Sequence, residues 1–71
     1  METRKIFAER LNEVMRFSSL SYAELAKKLG ITKATMSMYK HGKALPSLET
    51  FDKICDFLDV SADFLLGKKD L

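Results

Sequence analysis

Seventy-one residues, 46% apolar and 31% charged, with a net charge of +2, make one small globular domain and exclude a disordered chain. No run of about 18 apolar residues is present and the charged first residues lack a signal-peptide core, so neither a membrane span nor secretion is expected. One cysteine, Cys55, and one histidine, His41, exclude an internal disulfide and a Cys/His zinc cluster of about four ligands, and fit a reducing cytoplasm.

The first predicted element is a helix from about Arg4 to Phe17. Phe7, Leu11 and Val14 form its apolar stripe, and Ser18-Ser19 break it. Ser21 and Glu24, three apart, make a capping box for a second helix. Its inner face is Leu25, Ala26 and Leu29, and Gly30 ends it. Thr32 caps a third helix of about Lys33 to His41, stopped by Gly42. Met36 and Tyr39, three apart, are its inward anchors. Pro46 gives an extended approach to Ser47, the cap of a fourth helix. That helix turns Leu48, Phe51, Ile54, Cys55 and Leu58 to one side. Ser61 caps a short fifth, with Phe64 and Leu65 inward and Gly67 as its stop. No alternating stretch long enough for a strand occurs, so the fold class is all-α, a compact five-helix bundle.

Charge is unevenly distributed along the chain. Residues 1–43 carry nine Lys and Arg against four Glu, net +5, while residues 44–71 carry three Lys against six acids, net −3. Either one part of the molecule meets a polyanion, or two solvated faces merely differ. The connection between helices two and three bears on that choice. Only Gly30, Ile31 and Thr32 separate them, and so short a turn makes the helices cross steeply. This is the geometry of a helix-turn-helix, in which the third helix enters a DNA major groove.

The stretch LSYAELAKKLGITKATMSMYKHGKALPSLET, residues 20–50, and LDVSADFLLG, residues 58–67, resemble the Cro/C1-type (XRE) helix-turn-helix family of phage repressors and bacterial regulators. The resemblance covers about residues 4–67 and leaves a short charged tail, 68–71. It implies a lambda-repressor-like bundle, a transcriptional regulator, most simply a repressor, and double-stranded DNA as partner. It also implies a homodimer on a palindromic operator, with the dimer surface around helix five and the 42–46 loop. The expected location is the prokaryotic or phage-infected cytoplasm, at the nucleoid.

On this resemblance Lys33, Ala34, Ser37 and Met38 lie outward toward base edges. Lys33 can donate to guanine O6 or N7, or to a phosphate; Ala34 and Met38 suit thymine methyls. Met38 alternatively fills a gap or a dimer contact. Ser37 bonds a base or phosphate, or back-bonds within the helix. Thr32 and Thr35, at the N-terminus of the third helix, suit a phosphate oxygen. His41 and Lys43 fall where the family contacts the backbone, and His41 reads as a surface residue rather than a pH sensor. Tyr22 stands where the family commonly has a phosphate-binding glutamine; its hydroxyl donates to phosphate, or its ring packs against helix three. The family's arginine–glutamate ion pair is replaced by Met15 and Lys40. Losing both partners leaves no unpaired buried charge, and Lys40 is expected to join the DNA-facing charge.

Cys55 reads as core filler, and Asp52, Asp56 and Asp59 as a solvated face. No nucleophile–base pair, metal cluster or phosphate loop is evident, so no enzyme, cofactor, metal or small-molecule ligand is expected. The rival reading is a protein-interaction module, or an antitoxin-type partner of a toxin, with DNA binding secondary. The outward cations Lys33, Lys40 and Lys43 discriminate, since a pure interaction module has no use for them.

Overall fold

The computed structural model describes residues 2–70. Met1 and Leu71, the ends of the expected 1–71 domain and its tail, lie outside the described residues. Five helices follow in order: α1 Glu2–Phe17, α2 Tyr22–Leu29, α3 Lys33–Lys40, α4 Leu48–Leu58 and α5 Ala62–Leu65. No strand occurs among the described residues.

The starts of α2 to α5 are set by hydroxyl caps. Ser21, Thr32, Ser47 and Ser61 sit in extended backbone, and each side chain accepts the N–H three residues on. Each cap satisfies a donor the helix itself leaves orphaned, a gain of about 1 kcal/mol. At α2 the box is complete: the Ser21 N–H donates to Glu24 Oε1 at 2.9 Å, and the Glu24 N–H donates to Ser21 Oγ at 3.1 Å.

These bonds from Ser21, the backbone one first, hold the Glu24 carboxyl below the ordinary glutamate range. A carboxyl whose folded pKa is depressed stabilises the fold above its unfolded pKa. That stabilisation is lost as pH falls through the folded value. An NMR titration is therefore expected to place the Glu24 midpoint below that of a free glutamate, and Ser21→Ala to return it toward that value. An unshifted midpoint in the wild type would show that the box does not form in solution.

The ends are equally regular. Gly30 takes φ 72°, its N–H donates to Lys27 O, and the Ile31 N–H reaches back to Ala26 O at 3.0 Å. This is a Schellman closure, and glycine adopts its left-handed backbone without a Cβ penalty. The α4 end uses the same pattern with Asp59 at φ 53°, a residue type whose short polar side chain tolerates that region.

The core is wholly apolar. Phe7, Leu11, Leu25, Ile54 and Leu65 are completely buried, and no polar side chain is buried among the described residues. Contacts join α1 to α3 and α5, α2 to α3 and α4, and α4 to α5. Phe7 anchors the centre, edge-on to Tyr39 at 6.4 Å and tilted against Phe51 at 5.9 Å.

Five expectations need adjustment. The first helix starts at Glu2 rather than Arg4, and α3 ends at Lys40 with His41 as its C-cap. On α1 the position after Val14 is the buried one: Met15 is buried and Val14 only half-buried. Leu48 is 83% exposed, because the first residue of α4 projects past the core that Ile54 occupies. Cys55 is half-buried, and burial followed by the neighbouring Asp52 and Asp56 carboxylates pushes its thiol up, away from the reactive thiolate. No described helix is long and apolar enough to cross a membrane.

Candidate nucleic-acid interface

The three-residue turn places α3 against α2 and α1 with one side out. Met36 and Tyr39 face inward and are buried; Ile31 in the turn is half-buried against the same core. Lys33, Ala34, Ser37, Met38 and Lys40 are exposed, as are Thr32, His41 and Lys43, while Thr35 is half-buried. All four expected base-reading positions therefore share the solvent side of one helix, within about two turns.

The electrostatics of α3 are unlike those of its neighbours. Every other helix has an acid in its first turn: Glu2, Glu24, Glu49 and Asp63. The first turn of α3 has none and carries Lys33 instead. A cation at a helix N-terminus opposes the helix dipole by a few tenths of a kcal/mol to about 1 kcal/mol. Departures of this kind from a local rule are expected at functional or strained sites. Its effect is to keep the exposed end of α3 positive. Nearby, Thr32 Oγ1 accepts the Thr35 N–H at 3.1 Å, and the Thr32 hydroxyl lies 3.0 Å from that of Thr35.

At the other end, His41 folds back on the helix. Its Nδ1 lies 2.9 Å from the Ser37 carbonyl oxygen and 3.3 Å from Ser37 Oγ. Only a protonated Nδ1 can donate to a carbonyl, so the ring presents Nε2 outward. Ser37 keeps its own hydroxyl proton free to donate.

Between α2 and α3 lies a cleft of about 300 Å³ bordered by Tyr22, Ala26, Lys33 and Lys40. Tyr22 is half-buried at its edge. Its hydroxyl donates to Asn12 Oδ1 on α1, so the Tyr22 proton is already committed within the protein. The Lys40 ammonium stands 4.6 Å over the Tyr22 ring, a cation–π contact. Tyr22 thus packs with the end of α3, and Lys40 remains exposed at the rim.

Two residues of α1 that sequence reasoning passed over complete the site. Asn12 Nδ2 donates to the Lys40 carbonyl at 3.0 Å, and Arg4 Nη1 to the Lys43 carbonyl at 3.3 Å. Between them Ala8 faces Gly42: a Cβ built on Gly42 would lie 3.6 Å from Ala8 Cβ and 3.5 Å from the Arg4 carbonyl. Arg4, Ala8 and Asn12 are four apart, one stripe of α1 laid along the loop that follows α3. The available signal was that i, i+4 spacing, with polar Asn12 three residues before buried Met15.

Comparison with known proteins agrees with this geometry. The family described as Cro/C1-type HTH DNA-binding domain matches residues 10–66. The SPbeta prophage-derived uncharacterized HTH-type transcriptional regulator YonR of Bacillus subtilis is 41% identical over 61 residues, 86% of this chain and 56% of that protein. The cryptic phage CTXphi transcriptional repressor RstR of Vibrio cholerae is 33% identical over 60 residues, covering 84% of this chain and 54% of the repressor. The chain spans about half the length of the curated relatives it matches. A solution structure of the SOS-response transcriptional repressor LexA from Eubacterium rectale superposes with a TM-score of 0.89, at 25% identity, over 100% of this chain and 76% of that one. By that match over residues 10–66, and with five helices among the described residues, a three-residue turn and an outward cationic third helix, the chain belongs to the Cro/C1-type helix-turn-helix DNA-binding domain family.

Proposed function

We propose that this chain is a single DNA-binding domain that recognises a specific double-stranded operator and regulates transcription, most simply as a repressor. The observation that carries the reading is α3 itself, a short exposed helix with Lys33 where its sister helices have acids. Lys33, Ala34, Ser37 and Met38 read base edges in the major groove, and Thr32, Thr35, Lys40, His41 and Lys43 hold phosphates. Tyr22 contributes its ring, which carries Lys40, rather than its hydroxyl proton. A protein-interaction module would leave these cations without a use.

One such module makes few base contacts, so the operator is taken to be palindromic and bound by a homodimer. Its half-sites would lie roughly one helical turn, ~34 Å, apart. Leu45, 43% exposed, and Leu48, 83% exposed, border a small apolar cleft with Leu66, and this face near α5 and the 42–46 loop suits a second copy. The protein would act in the cytoplasm, at the nucleoid.

Selection from a random duplex library at two salt concentrations tests the reading. A palindrome that stays enriched at the higher salt is the expected result. Enrichment of nothing, with binding that vanishes as salt rises, would mean electrostatic attraction alone and would sink the proposal.

A further inference from the structure

The last turn of α3 has an unusual accounting. Four carbonyls at the end of any helix lack an intrahelical partner. Here Ser37 O accepts from the His41 N–H at 3.0 Å, Met38 O from the Lys43 N–H at 2.8 Å, and Tyr39 O from the Gly42 N–H at 3.3 Å. The fourth, Lys40 O, is satisfied from outside the helix, by the side-chain amide of Asn12 on α1. The same amide group accepts the Tyr22 hydroxyl proton with its oxygen, and the Tyr22 ring lies under the Lys40 ammonium. One side chain therefore ties the first residue of α2 to the last residue of α3, and both ends of Lys40 are held.

We propose that Asn12 is a positioning residue for DNA binding, acting through Tyr22 and the Lys40 carbonyl to hold the Lys40 ammonium where it meets a phosphate. The inference rests on the DNA-binding reading above and extends it to a residue that touches no DNA. An amide is the side chain the position requires. Its nitrogen donates to a carbonyl while its oxygen accepts from a phenol, and neither aspartate nor leucine does both. Preorganisation is the gain: a lysine with a flexible stem otherwise loses rotamer freedom on meeting the phosphate.

The test is a set of binding titrations of the selected duplex across salt concentrations, with wild type, Asn12→Ala, Lys40→Ala and the double variant. Asn12→Ala is expected to weaken binding by about one order of magnitude and to reduce the salt exponent by roughly 0.9, the share of one phosphate. Lys40→Ala should do the same, and the double variant should lose no more than either alone. A merely structural asparagine would leave the salt exponent unchanged and its loss would add to that of Lys40→Ala; that result overturns the proposal.

Tyr22→Phe keeps the ring and the fold, and serves if Asn12→Ala does not fold. It should weaken binding in the wild type and have no further effect beside Lys40→Ala. Equal losses in both backgrounds would mean that the hydroxyl serves DNA directly, which again overturns the idea. A wild type that enriches no duplex fails the DNA-binding reading itself. It takes this proposal with it, and is told apart by the lack of any selected duplex on which to compare the variants.

Discussion

Phe7→Ala is expected to remove most of the folding free energy of this chain. A phenyl ring that is completely buried between Tyr39 and Phe51 leaves a cavity that the helices cannot close without breaking the α1–α3 contact. Such substitutions cost about 3–5 kcal/mol. A chain of this length has roughly 4–10 kcal/mol in all. The melting temperature should fall by about 15 °C or more. Phe17→Ala is the matched control. It deletes the same ring from a position 83% exposed, and should change stability by no more than about 0.5 kcal/mol. Urea unfolding followed by circular dichroism measures both. Similar midpoints for the two variants would contradict the core described above.

The largest effect on function is expected at Lys33. Its side chain is exposed, makes no ion pair among the described residues and opposes the α3 dipole, so Lys33→Ala should keep the circular dichroism and hold or slightly raise the melting temperature. Removing a base-edge contact costs about 1–3 kcal/mol, which is roughly 5- to 150-fold in affinity for the selected operator. The loss should be confined to one base position, where the preference relaxes. Lys43→Ala provides the contrast. It should weaken all duplexes alike and reduce the salt exponent by about 1, the signature of a phosphate contact. Competition binding against operators altered at single positions separates the two patterns. A uniform loss with Lys33→Ala would reassign that residue to the backbone.

Much of the fold was legible because it is written in local chemistry. The Ser21–Glu24 box, the caps at Thr32, Ser47 and Ser61, and the left-handed Gly30 each involve residues a few positions apart. Met36 and Tyr39 were legible because helical spacing puts them on one side. Leu48 was misplaced by the same spacing. Periodicity says which residues share a face but not where along a helix the core ends. Asp59 was invisible as a left-handed cap because glycine is the residue that advertises that conformation. Asn12 and Arg4 escaped for a different reason. The groups they donate to are 28 and 39 residues away, and both are backbone carbonyls, which every residue possesses. A bond to an anonymous acceptor leaves no trace in the composition of the partner segment. The outward cations were legible as residue types, but the absence of an acid at the start of α3 gains its meaning only beside the four helices that have one.

The interactions that fix α3 are hydrogen bonds at its backbone ends and apolar packing of its inward side chains: the Thr32 cap, the Asn12 amide, the Gly42 closure, and buried Met36 and Tyr39. The side chains of Lys33, Ala34 and Met38 take part in none of them. Heritable change at those three positions is therefore nearly invisible to folding. If these positions read the bases as proposed, a lineage carrying this scaffold can exchange them and acquire a new target site without passing through an unfolded intermediate, and two duplicated copies can drift to separate targets while keeping one architecture.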